Sequence, residues 1–120
     1  MKKLFAITFP ILPGKTDQWL KFINALNHEK KAEFDASRLA LGVRERTFLQ
    51  RTPMGDFVLV TLEGNDPVNA FTTFGKGTDS FTQWFKKEVV ELHGVDLANP
   101  PQGPLPELVV DSGELTGASR

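Results

Sequence analysis

The chain contains no cysteine. That absence excludes a disulfide framework, a thiolate zinc site and a cysteine nucleophile together. It has two histidines, His28 and His93, far apart in sequence, and they form no metal-ligand spacing, so neither a metal nor a cofactor is expected. Fourteen basic against fifteen acidic side chains leave a net charge of −1. No long-range field therefore draws a nucleic acid or an anionic membrane. No run approaches the roughly 20 apolar residues of a membrane span. Met1 to Pro13 imitates a signal peptide, with two lysines ahead of an apolar run. The run is short, lacks a small-residue cleavage pattern and is broken by Pro10 and Pro13, so a cytoplasmic protein is expected. Gly75-Lys76-Gly77 is too short for a phosphate loop, and no serine sits in a nucleophile elbow. Gly55 to Val60 shares only a faint likeness with the third strand of RNA-recognition domains and lacks their basic start and exposed aromatics.

What is present is globular. Hydrophobic residues make up 40% and charged residues 24% of 120 positions, enough for a single domain with a core of its own. The strongest local signal is Ser80 to Gly94. Ser80 and Gln83 read as a capping box, and Gly94 suits the left-handed position past a helix end. Between them Phe81, Trp84, Phe85, Val89 and Leu92 form one apolar stripe.

Taken in order, residues 3–9 read as a strand with Phe5, Ile7 and Phe9 on one face and Leu4, Ala6 and Thr8 on the other. Thr16 or Asp17 then opens one long helix to about Leu41, with Trp19, Phe22, Ile23, Leu26, Phe34 and Leu41 inward. At about 39 Å it outruns a strand of about 23 Å, so its far end is expected either to overhang the sheet, the favoured reading, or to line a polar cavity. Residues 43–52 and 56–63 read as a hairpin about Thr52-Pro53-Met54-Gly55, a type I turn. Pairing Thr52 with Gly55 places Arg44 opposite Glu63 and Phe48 opposite Leu59, whereas a one-residue slip opposes Glu45 to Glu63. Val43, Leu49, Val58, Val60 and Leu62 then share the face expected under helices. Asp66-Pro67 starts a brief helix, and Gly75 and Gly77 separate it from the next. After Gly94 comes a proline-rich stretch, then a last strand over 107–111.

The order β-α-β-β-α-β predicts a ferredoxin-like α+β fold: a four-stranded antiparallel sheet with helices on one face, the second helix split in two. Residues 1–111 form the domain and 112–120 a flexible tail. Both faces of the strands carry apolar residues, so a homodimer is expected, two sheets facing across a two-fold axis.

Glu88 lies within the apolar stripe of its helix. A carboxylate among aromatics suits a general acid or base, and equally an ion pair with an arginine of the second strand. His93, at the last helical position, suits a dipole-favoured cap and also borders the stripe, where it could line a pocket. Trp84 and Phe85 are candidate pocket walls, and Arg46 a candidate ligand contact or interface ion pair. Catalysis is thus assigned to Glu88 and His93, and ligand binding to Trp84, Arg46 and Phe85.

Leu41 to Phe57 (LGVRERTFLQRTPMGDF), with Trp84-Phe-Lys and Leu92-His-Gly-Val-Asp, resembles a family of short bacterial proteins within the dimeric α+β barrel group. The resemblance implies a dimeric α+β barrel of ferredoxin-like domains and says nothing of the activity. The residues themselves suggest a homodimeric domain with a small apolar pocket, between the sheet and the 80–94 helix, that binds a small organic molecule. The wider group includes cofactor-independent monooxygenases, haem-degrading enzymes and regulatory domains. The first strand has Thr8 but no asparagine, and the third strand has no tryptophan; only His93 matches in general position. Two functions follow. One is a metal-independent, monooxygenase-like or isomerase-like enzyme acting on a small organic substrate. The other is a non-enzymatic binding, regulatory or assembly domain whose ion pairs are scaffold.

Overall fold

A computed structural model describes residues 2–100 and 105–113. Strand β1 (Lys3–Pro10) is followed by helices α1 (Thr16–Asn27) and α2 (Lys31–Leu41), strands β2 (Val43–Thr52) and β3 (Gly55–Gly64), and helices α3 (Pro67–Gly75) and α4 (Ser80–His93). The three strands form one antiparallel sheet in the order β1-β3-β2. Thr52 pairs with Gly55, Arg44 with Glu63 and Phe48 with Leu59, the register that keeps like charges apart. Among the described residues no helix is long and apolar enough to cross a membrane.

This corrects the expected four-stranded ferredoxin-like sheet, and with it the α+β barrel built from two such sheets. The missing strand is the last one. Residues 105–113 belong to no strand, and Leu108, Val109 and Val110 are 68%, 80% and 80% exposed. They run beside β1, separated from Leu4, Phe5 and Ala6 by a cleft of about 260 Å³. Strand propensity expresses mainly the packing of side chains on a half-buried surface. Three consecutive apolar residues without alternation offer no single face to bury, and Pro106 contributes no N–H to a ladder. Residues 101–104 of the proline-rich stretch and residues 114–120 of the expected tail 112–120 lie outside the described residues.

The expected long helix is likewise two. It breaks at His28–Lys30, where the N–H groups of both His28 and Lys30 turn onto the carbonyl of Ala25. Packing gives the reason. In one uninterrupted helix Phe34 would lie about 80° around the axis from Leu26 at ~100° per residue. The break resets the phase, and Phe34, Arg38 and Leu41, spaced four and three apart, face inward together.

Helix α4 starts where expected but is capped one residue earlier. Asp79 accepts from the N–H of Thr82 at 3.1 Å and from its hydroxyl at 2.7 Å. These bonds hold its carboxyl below the usual carboxylate range, and the negative charge suits the positive end of the helix. Asp66 caps α3 in the same way through Asn69, with Pro67 at the first helical position. Gly94 ends α4 with a φ of 68°, and its N–H donates to Val90.

All four helices contribute to one layer on one face of the sheet. The core between them joins Trp19, Phe22 and Leu26 of α1 to Phe74 of α3, Phe81, Phe85, Val89 and Leu92 of α4, and Val58 of β3. Phe85 is its centre, meeting Phe22 and Phe74 edge-on at 5.1 Å between centroids. Each such side chain contributes about 1.5–3 kcal/mol by leaving water. The opposite sheet face has no helix, and Leu4 and Phe48 there are each 54% exposed.

Candidate functional site

Between the sheet and the helices lies a chamber of about 70 Å³. Its walls are largely apolar: Ile7 and Phe9 from β1, Val60 and Leu62 from β3, Phe71 and Phe74 from α3, Phe85 and Val89 from α4. Four polar side chains also border it, namely Arg38, Glu45, Thr47 and His93.

Arg38 and Glu45 meet because the chain turns sharply between them. Gly42, in the left-handed conformation at φ 73°, ends α2 and sends the chain directly into β2. Arg38 occupies the last turn of α2 and Glu45 the third position of β2. Arg38 Nε donates to Glu45 Oε1 at 2.7 Å, with the two side chains only 9% and 8% exposed. The second carboxylate oxygen, Oε2, accepts from the Thr47 hydroxyl at 3.1 Å. Arg38 Nη1 donates to Ser37 Oγ at 2.9 Å. The guanidinium also lies over the rings of Phe34, Phe74 and Phe85, 4.3–5.0 Å from their centroids. A buried charge is tolerable only when paired and hydrogen-bonded, and this pair meets both conditions.

His93 is placed by the end of α4. The N–H of Leu12 donates to the carbonyl of Leu92 and that of Ile11 to Asp56, which fixes the segment following β1. The Pro10 carbonyl thereby comes within 2.8 Å of His93 Nδ1. A carbonyl can only accept, so Nδ1 carries the proton and Nε2 keeps a lone pair. Burial pushes the imidazole pKa below its ordinary 6.5, and the bond to Pro10 offsets this only in part. The ring packs against Phe9 at 5.6 Å.

Of the residues expected to form the site, Phe85 and His93 border the chamber; Trp84, Glu88 and Arg46 do not. Trp84 is half-buried against Phe22 and Phe81, with Lys30 over its ring at 5.0 Å. Glu88 is half-buried and makes no ion pair among the described residues. Arg46 lies on the helix-free sheet face, Nη2 3.4 Å from Glu63 Oε1. Arg38, Glu45 and Thr47 escaped notice, although the pattern contained them. Val43, Glu45, Thr47 and Leu49 alternate along β2, which puts Glu45 and Thr47 on the covered face. Arg38, four after Phe34 and three before Leu41, shares their helical stripe.

Among the described residues no three His, Cys, Asp or Glu side chains cluster as a metal site. Comparisons with known protein families, with curated proteins and with solved structures find no match to this chain.

Proposed function

We propose that the protein is a small-molecule-binding domain that works as a homodimer, with the chamber under α2, α3 and α4 as its ligand site. The observation that carries this is the make-up of the chamber: apolar walls with a few converging polar groups, which is the composition of ligand sites. Within it the charges of Arg38 and Glu45 meet each other at 2.7 Å, which favours binding and orientation over catalysis. For the dimer the support is the helix-free sheet face. Leu4 and Phe48 are more than half exposed there, flanked by Arg44, Arg46 and Glu63, charges of both signs that a two-fold axis can match.

The test is a thermal-shift screen of small organic metabolites on the wild type and on Val60→Phe, whose ring would fill the chamber. A true ligand at a hundred times its Kd stabilises by about 2.7 kcal/mol, or roughly 10 °C in Tm for a chain of this size. Shifts that vanish in Val60→Phe support the chamber. No stabilising compound, or equal shifts in the variant, would refute it.

A further inference from the structure

Among the described residues that border the chamber, Leu97 is the one that belongs to no helix or strand. It is 8% exposed, whereas Asp96, Ala98 and Asn99 beside it are exposed. Leu97 therefore stands between the chamber and solvent, a plug set in a surface strap over 95–100. The strap's hydrogen bonds are its own. The N–H of Ala98 donates to Asp96 Oδ1 at 2.9 Å, that of Asn99 to the Asp96 carbonyl at 3.0 Å, and Asn99 Nδ2 to Asp96 Oδ2 at 3.4 Å. Among the described residues no hydrogen bond runs from 95–100 to the rest of the molecule. The strap is anchored by the side chains of Leu97 and Val95, which pack on the core.

The Asp96 turn ties the strap into a unit, and Gly94, left-handed at φ 68°, gives it a pivot where α4 ends. Few buried contacts and no hydrogen bond to the body mark a segment that opens by itself. Lids move in the same way, through one or two positions at the end of an element. We propose that residues 95–100 are a lid on the chamber, which swings about Gly94, withdraws Leu97 and lets the ligand in and out. This rests on the chamber being a binding site, as proposed above. Opening uncovers two apolar side chains and leaves the sheet and helices intact, so it occurs far more often than unfolding of the whole chain.

Because the chain has no cysteine, a single substitution gives it one thiol whose exposure can be timed. Leu97→Cys puts that thiol in the lid. Val89→Cys and Leu62→Cys put it in the chamber, from the helix side and the sheet side. Leu92→Cys puts it in the fully buried core away from the chamber. Each full-length variant is labelled with iodoacetamide without urea and in low urea. Its own urea denaturation gives the rate that whole-chain unfolding alone would produce. The thiols at 97, 89 and 62 should react at least about a hundredfold faster than that rate and respond little to low urea, whereas the thiol at 92 follows it. Either chamber variant suffices if the other does not fold. Labelling at 97 no faster than whole-chain unfolding overturns the lid. So does rapid labelling at 97 with none in the chamber, because the strap then moves without opening it. Chamber thiols that react faster than the one at 97 overturn it too, since access then runs past Thr47, which is exposed on β2. The labelling uses no ligand, so any of these results removes the lid and leaves the chamber's role as a site to be decided by the thermal-shift screen.

Discussion

Removing one member of the Arg38–Glu45 pair should cost far more than removing both. The two side chains are 9% and 8% exposed and 2.7 Å apart. Glu45→Ala leaves a guanidinium enclosed by three phenylalanine rings with no counter-charge, a change worth about 3–5 kcal/mol of folding stability. Arg38→Met leaves the carboxylate with only the Thr47 hydroxyl and forfeits the ring contacts, so a loss of about 4 kcal/mol or more is expected. Against a typical total of 5–15 kcal/mol, either loss is a large share. The double variant Arg38→Met/Glu45→Val replaces two desolvated charges by apolar groups on surfaces that are already apolar. It should fall within about 2 kcal/mol of the wild type, since such replacements are often neutral. The coupling between the two sites then exceeds about 3 kcal/mol. Urea denaturation at pH 7, with the slope m checked for constancy, measures all four proteins. Single losses below about 1 kcal/mol would match an exposed pair and refute the assignment, as would a double variant whose loss is the sum of the singles.

His93 makes stability depend on acid. Its pKa is lowered in the folded chain relative to an ordinary 6.5, so below that value the unfolded chain binds a proton more readily. The contribution is complete above about pH 6.5 and is lost as the pH falls through the depressed folded value. Urea midpoints taken from pH 7.5 to 5 should therefore decline in the wild type and decline less in His93→Asn; equal slopes would contradict it. The proposed dimer predicts that the wild type sediments at twice its chain mass. Phe48→Glu, which puts a charge on the exposed apolar face, should sediment as a single chain with its melting behaviour otherwise retained. A wild type that sediments as one chain would remove the dimer.

Legibility followed the range of the interaction. The hairpin register could be read because it turns on neighbouring charges, Arg44 and Glu63 against a slip to Glu45, and on a four-residue turn. The starts of α3 and α4 could be read to within one residue because caps are local chemistry. The break at His28–Lys30 could not, since it is set by the phase in which Phe34 and Arg38 meet the core. The unformed strand at 107–111 failed for the same kind of reason: Leu108 to Val110 have the propensity but no surface that rewards one face. At the site, His93 and Phe85 were found through the stripe of α4. Glu88 drew attention as a carboxylate on that stripe, whereas Glu45, whose side chain is 8% exposed and paired with Arg38, was hidden among the charges of Arg44-Glu45-Arg46.

The chamber's roof is held down by a residue with no side chain. A methyl group on Gly75 would collide with the backbone carbonyl of Leu97, and Leu97 is one of the residues bordering the chamber. Main chain rests on main chain there, so the height of the enclosed space is fixed by how closely two stretches of backbone can approach. A chain with alanine at 75 would have to lift residues 95–99 and carry Leu97 outward. Larger guests would then enter without a single change among the side chains that touch them.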